Sequence, residues 1–97
     1  MKDKILCVYI LANKRNGTVY TGVTSNLVKR VYEHKNDIVK GFTEKYKVHS
    51  LVYYEIDNSM IGTLEREKQI KAGSRKKKLL LIESVNPEWK DLYNDLL

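Results

Sequence analysis

Cysteine is nearly absent from this chain. Cys7 stands alone, and the two histidines are well separated in sequence. A single thiol cannot close an internal disulfide and has no neighbour for a zinc motif, so neither kind of staple is expected. Cys7 lies inside an apolar stretch, where a small buried hydrophobe is its simplest role. A cytoplasmic location is the matching expectation. Long apolar runs are also missing. None approaches the roughly 20 residues that span a bilayer, so no membrane partner is expected. Met1-Lys2-Asp3-Lys4 leads into a short apolar run that reads as a first strand and not as a secretory signal. Proline, phenylalanine and tryptophan occur once each, whereas tyrosine occurs seven times. With 97 residues, residues 1–97 fit one compact domain with a thin core.

Charge is plentiful and uneven. Eighteen Lys and Arg against twelve Asp and Glu give +6. The excess concentrates between Arg66 and Lys78, where Lys68, Lys71, Arg75, Lys76, Lys77 and Lys78 meet Glu67 alone. Such a block can neutralise phosphates and gain affinity by counterion release, which makes nucleic acid the candidate partner. Solubility alone is the competing explanation.

Ile5 to Leu11 is an apolar run suited to a strand covered on both faces. Asn16-Gly17 signals a hairpin, since both residues tolerate positive φ. Thr18 to Val23 is its partner strand. Thr24 or Ser25 can cap a helix over about Asn26 to Asn36. Asp37 to His49 reads as a loop with at most a short helical turn, and Leu51 to Ile56 as a third strand. Asp57-Asn58-Ser59 caps a helix from Met60 to Ala72, which Gly73 ends. Ser74 caps another from Arg75 to about Ser84, and Asn86-Pro87 opens a last turn. The expected class is α+β: a small three-stranded antiparallel sheet with helices packed on it, in the order β-β-α-β-α-α.

Residues that break the pattern point to a site. On a wheel of about 100° per residue, Met60, Leu64 and Ile70 define the buried arc of the second helix, and Glu67 falls in its middle. A carboxylate facing inward needs a cation, either a metal or a base, unless it lies at the core edge and reaches water. On the first helix, Leu27, Val28 and Val31 face inward, with Arg30 and His34 stacked one turn apart on the flank. They are either solvated surface groups or partners in a cleft with strand residues. Tyr9 and Tyr20 lie on paired strands and project to one side of a regular hairpin; each serves as a core tyrosine or as a reactive phenol. Gly22 leaves room for a close approach. Tyr53 and Tyr54 are explained by strand packing.

These residues match a known pattern. Cys7-Val8-Tyr9, ten intervening residues and Tyr20-Thr21-Gly22 resemble the paired motif of the GIY-YIG nuclease superfamily. Arg30 follows at the spacing of its arginine, and Leu64 to Lys71 resembles its metal-binding glutamate motif. Arg66 to Lys71 and Asn86-Pro87-Glu88-Trp89-Lys90-Asp91-Leu92 are similar to segments of a subgroup of small stand-alone bacterial proteins. Cys7 and Thr21 depart from the motif at packing positions. Asn86 is the candidate for the late asparagine, with Asn94 as the alternative.

The resemblance implies metal-dependent hydrolysis of a phosphodiester, with DNA as the expected nucleic acid. By that likeness Glu67 would bind one Mg²⁺ or Mn²⁺, Arg30 would hold the scissile phosphate, and Tyr20 would activate or orient water beside Tyr9. A tyrosine with its ordinary pKa of about 10 is a poor base, so it must be ionised by nearby positive charge, pass its proton to another group, for which His34 is the candidate, or only orient the water. Larger relatives join the cleavage domain to a separate DNA-binding part. Lacking one implies weak sequence specificity, structure-selective cutting or a protein partner that supplies targeting. The alternative is a non-catalytic binding or interaction module on the same fold.

Overall fold

The computed structural model describes residues 6–97. Its elements are β1 (Leu6–Ala12), β2 (Val19–Thr24), α1 (Leu27–Lys35), the short α2 (Phe42–Lys45), β3 (Ser50–Asp57), α3 (Met60–Ala72) and α4 (Arg75–Val85), with a 3-10 turn over Tyr93–Leu96. The three strands form one antiparallel sheet in the order β2-β1-β3. The α+β class and the β-β-α-β-α-α order hold, with the four-residue α2 as the short helical turn inside the expected loop. The expected strand start at Ile5 lies outside the described residues.

β1 is the central strand, and its side chains divide two cores. Val8, Ile10 and Ala12 point to one face, where Ile70 of α3, Ile82 of α4 and Trp89 cover them. Cys7, Tyr9 and Leu11 point to the other, beneath Leu27 and Val31 of α1 and the C-terminal Leu92, Tyr93 and Leu96. Burial on both faces explains why β1 is almost uninterruptedly apolar. A register shift after Ile10 leaves Val52 without a partner across β1, and Val52 and Tyr53 enter the same core. One extra residue on a strand re-aims its side chains in this way.

Local chemistry differs from expectation in three places. Asn16 adopts φ 57°, but Gly17 has no positive φ; the loop is closed instead by Asn13, whose Oδ1 accepts from Thr18 N at 2.9 Å. Asn26, not Thr24 or Ser25, caps α1, accepting from Lys29 N at 3.1 Å. The turn expected at Asn86-Pro87 is present, and a 3-10 turn follows at Tyr93–Leu96. On α1, Val28 is exposed whereas His34 is wholly buried. The apolar stripe misled because an imidazole with both nitrogens bonded can occupy a core position.

The wheel for α3 also needs rotating. Thr63 and Ile70 are its buried residues, while Met60 and Leu64 are largely exposed. Arg66 supplies a physical reason. Its guanidinium clasps Glu55 on β3, Nε at 3.1 and 3.0 Å and Nη2 at 2.9 Å. Glu55 also accepts from the hydroxyl of Tyr53. Burial and that anionic neighbour push the phenol up to about 12. With Arg66 held toward β3, the next residue, about 100° round the helix, turns toward the remaining strands. That residue is Glu67.

Candidate active site

Opposite Tyr9 in the β1–β2 ladder stands Gly22. A Cβ there would lie 2.5 Å from the Tyr9 hydroxyl oxygen and 2.6 Å from its ring carbon Cζ. The approach that Gly22 admits is therefore that of a phenol from the adjacent strand. Tyr9 crosses β2 at the gap and ends against α1, where its hydroxyl lies 3.1 Å from His34 Nε2. His34 Nδ1 lies 2.9 Å from Thr43 Oγ1. All three side chains are buried, so the chain Tyr9–His34–Thr43 runs through the interior. Burial, seconded by the charge of Arg30, lowers the imidazole pKa to about 4 and leaves His34 neutral at ordinary pH. Burial also raises the Tyr9 pKa, against the pull of the Arg30 guanidinium.

Tyr20 stands two residues before Gly22 on edge strand β2. Its ring is half-buried, 6.4 Å from that of Tyr9 and 5.6 Å from that of His34. Arg30 approaches from α1. Its proximity to Tyr9 raises its own pKa, while Nη1 reaches Glu33 at 3.4 Å. Arg30 lies in a polar depression of about 280 Å³, lined also by Thr24, Asn26, Lys29 and Glu33. Glu67 comes from α3, on the opposite face of the sheet, and is near enough for its charge to raise the Tyr9 pKa. Its side chain is 18% exposed and pairs with Lys71 Nζ at 3.2 Å.

Tyr9, Tyr20, Arg30 and His34 thus meet on the α1 side of the sheet, whereas Glu67 stands on the α3 side and is linked to them by its charge at Tyr9. The expected role of His34 needs correcting: its bond is to Tyr9, its other nitrogen is taken by Thr43, and it has no exposed surface. It can orient Tyr9 but does not touch the solvent that Tyr20 faces. Asn86 is elsewhere. Its Nδ2 donates to the carbonyls of Val52 (3.0 Å) and Lys90 (2.9 Å), and its Oδ1 accepts from Lys90 N at 3.0 Å. Both donors of this buried amide are spent on tying the Pro87 turn to β3.

The basic block is split by the break at Gly73. Lys71 serves Glu67, and Arg75 donates to the carbonyls of Asn16 and Gly17, both at 2.7 Å, holding the β1–β2 hairpin loop. Lys77 and Lys78 line a cleft of about 240 Å³ between α3 and α4, whereas Lys68 and Lys76 are exposed. Sequence reasoning missed Thr43 because it lies in a polar segment with no periodicity. The one signal there is a pair of aromatics, Phe42 and Tyr46, in otherwise hydrophilic surroundings.

Among the described residues, no three His, Cys, Asp or Glu side chains come together. The carboxylates nearest the phenols are Glu33, which bonds Arg30, and Glu67, whose charge acts on Tyr9 from α3. That set suits a hard cation such as Mg²⁺, which keeps several waters and takes one or two carboxylates with substrate oxygens. It does not suit a tetrahedral zinc site.

Tyr9 over Gly22, with Tyr20 beside it and Arg30 brought from α1, forms the candidate centre. The family model of the GIY-YIG catalytic domain matches residues 5–79, and the chain belongs to that family. Among its relatives is a UPF0213 protein of Syntrophus aciditrophicus, 43% identical over 84% of this chain and 92% of that protein. A UPF0213 protein of Staphylococcus saprophyticus is 37% identical over 77% and 90%. The solution structure of a UPF0213 protein from Bacillus halodurans superposes with a TM-score of 0.57 at 25% identity, covering 90% of this chain and 92% of that one.

Proposed function

We propose that this chain is a metal-dependent endonuclease that hydrolyses phosphodiester bonds in nucleic acid, DNA foremost, with little intrinsic sequence specificity, in the cytoplasm. The observation that supports it is the cluster of Tyr9, Tyr20 and Arg30 beside Gly22, with the charge of Glu67 felt at Tyr9 from the α3 side of the sheet. Arg30 holds the scissile phosphate with its planar fork. Tyr20, the accessible phenol, orients the attacking water. Tyr9 fixes the geometry around it through His34. Glu67 would hold one Mg²⁺ or Mn²⁺, which when bound offsets negative charge on the phosphate and the leaving oxygen. Lys68 and Lys76 to Lys78 track the backbone without reading bases.

The Glu67–Lys71 pair favours a second reading, since a carboxylate already neutralised could belong to a non-catalytic binding module. One assay separates the two. Purified protein is incubated with supercoiled plasmid, single strands and branched DNA, with Mg²⁺, Mn²⁺ or chelator. Metal-dependent nicking is expected, reduced about a hundredfold or more by Arg30→Ala or Glu67→Ala. Nicking that survives either substitution refutes these roles. Salt-sensitive binding without cleavage supports the module.

A further inference from the structure

The short helix α2 turns only Thr43 inward. The large residues on either side of it, Phe42 and Tyr46, are 46% and 43% exposed, so the core does not account for them. They nevertheless form an ordered row. Phe42 lies 4.8 Å from Tyr46 and 6.1 Å from Tyr20, whose ring adjoins Tyr9 and His34. Lys45 Nζ lies 5.4 Å from the Tyr46 ring centre, placing a cation at the rim of the row. The backbone beneath is held in place. Asn13 Nδ2 donates to the Tyr46 carbonyl at 3.4 Å, and Thr43 is bonded to His34.

We propose that Phe42, backed by Tyr46, is a base-stacking subsite for an unpaired nucleotide next to the scissile phosphate. This rests on the nuclease reading for its substrate class and extends it to a second contact on the strand. Exposed aromatic rings bind nucleobases without regard to sequence because every base offers a π-face. A base inside a duplex has both faces occupied by its neighbours, so the subsite takes only a base that is already unstacked. Lys45 is placed to meet that nucleotide's phosphate. The row continues from Tyr20, so a strand engaged at Arg30 need extend only past one phenol to reach Phe42. The subsite thus favours single strands, flaps and junctions over intact duplex.

The test measures binding by the full chain in chelator, so that no cleavage intervenes. The probes are a labelled single-stranded DNA oligonucleotide, the matching RNA and a fully paired DNA duplex. Phe42→Leu is expected to weaken single-strand binding about tenfold and duplex binding by less than about twofold, while Phe42→Trp retains it. The DNA and RNA arms show which strand the subsite prefers. Replacing one nucleotide at a time by an abasic residue should reveal one position that costs the wild type affinity and costs Phe42→Leu nothing more. Thermal melting verifies that each variant is folded. Equal losses on single strand and duplex, no loss in Phe42→Leu, or no binding at all overturns the subsite. Ring-dependent binding in a protein that never cleaves keeps the subsite and sinks the nuclease reading. Metal-dependent cleavage with ring-independent binding does the reverse.

Discussion

His34 should make this fold sensitive to mild acid, and by a calculable amount. The imidazole is wholly buried between Tyr9 and Thr43, with a pKa near 4 against 6.5 when exposed in the unfolded chain. Between those values the unfolded state binds a proton that the folded state refuses, so unfolding gains as pH falls. The contribution is absent above the unfolded pKa, grows through the window and levels off below the folded pKa. At about 1.4 kcal/mol per pH unit, lowering the pH from about 7 to about 5 should remove roughly 2 kcal/mol of stability. Asp37, Glu44 and Glu55, whose pKa values are lowered, lose their stabilising charge only below the ordinary carboxylate range, and a His34 substitution separates this imidazole from His49, which pairs with Asp37 at 2.8 Å. Urea unfolding at several pH values reads the slope directly. His34→Gln should flatten it, whereas Tyr9→Phe, which leaves the imidazole buried, should keep it. A wild-type stability unchanged between those two pH values would refute the assignment of a neutral buried imidazole.

Two further substitutions test the frame of the site. Gly22→Ala sets a methyl group 2.5 Å from the Tyr9 hydroxyl; it should cost about 1–3 kcal/mol in urea unfolding and abolish nicking together with the Tyr9–His34 bond. Full activity in that variant would show that the phenol need not lie over the gap. Asn86→Ala removes three hydrogen bonds, one of them to the Val52 carbonyl; a loss of about 2–3 kcal/mol is expected, with nicking per folded molecule intact. Lost nicking in a folded Asn86→Ala protein would restore the late asparagine to the site.

Much of this protein is determined by its sequence alone. The continuous apolar run of β1 implied a central strand, the serines before α3 and α4 implied caps that are present, and the spacing of Tyr9, Tyr20, Arg30 and Glu67 identified the family motif. The strand and cap signals are local, carried by residues a few positions apart on one element, and the family motif is a pattern of spacing along the chain. Side-chain partnerships across elements were decided only by the tertiary structure. Periodicity cannot tell that His34 is interior, because its burial depends on Thr43 nine residues on and on Tyr9 in another strand. Nor could the wheel for α3 show its true facing, which follows a clasp between Arg66 and Glu55. Asn86 and Arg75 belong to the same class: residue types suited to a site or to phosphate, spent on backbone carbonyls far away in sequence. Buried polar groups take whatever partner the packed chain brings them, and that choice is made only when the elements dock.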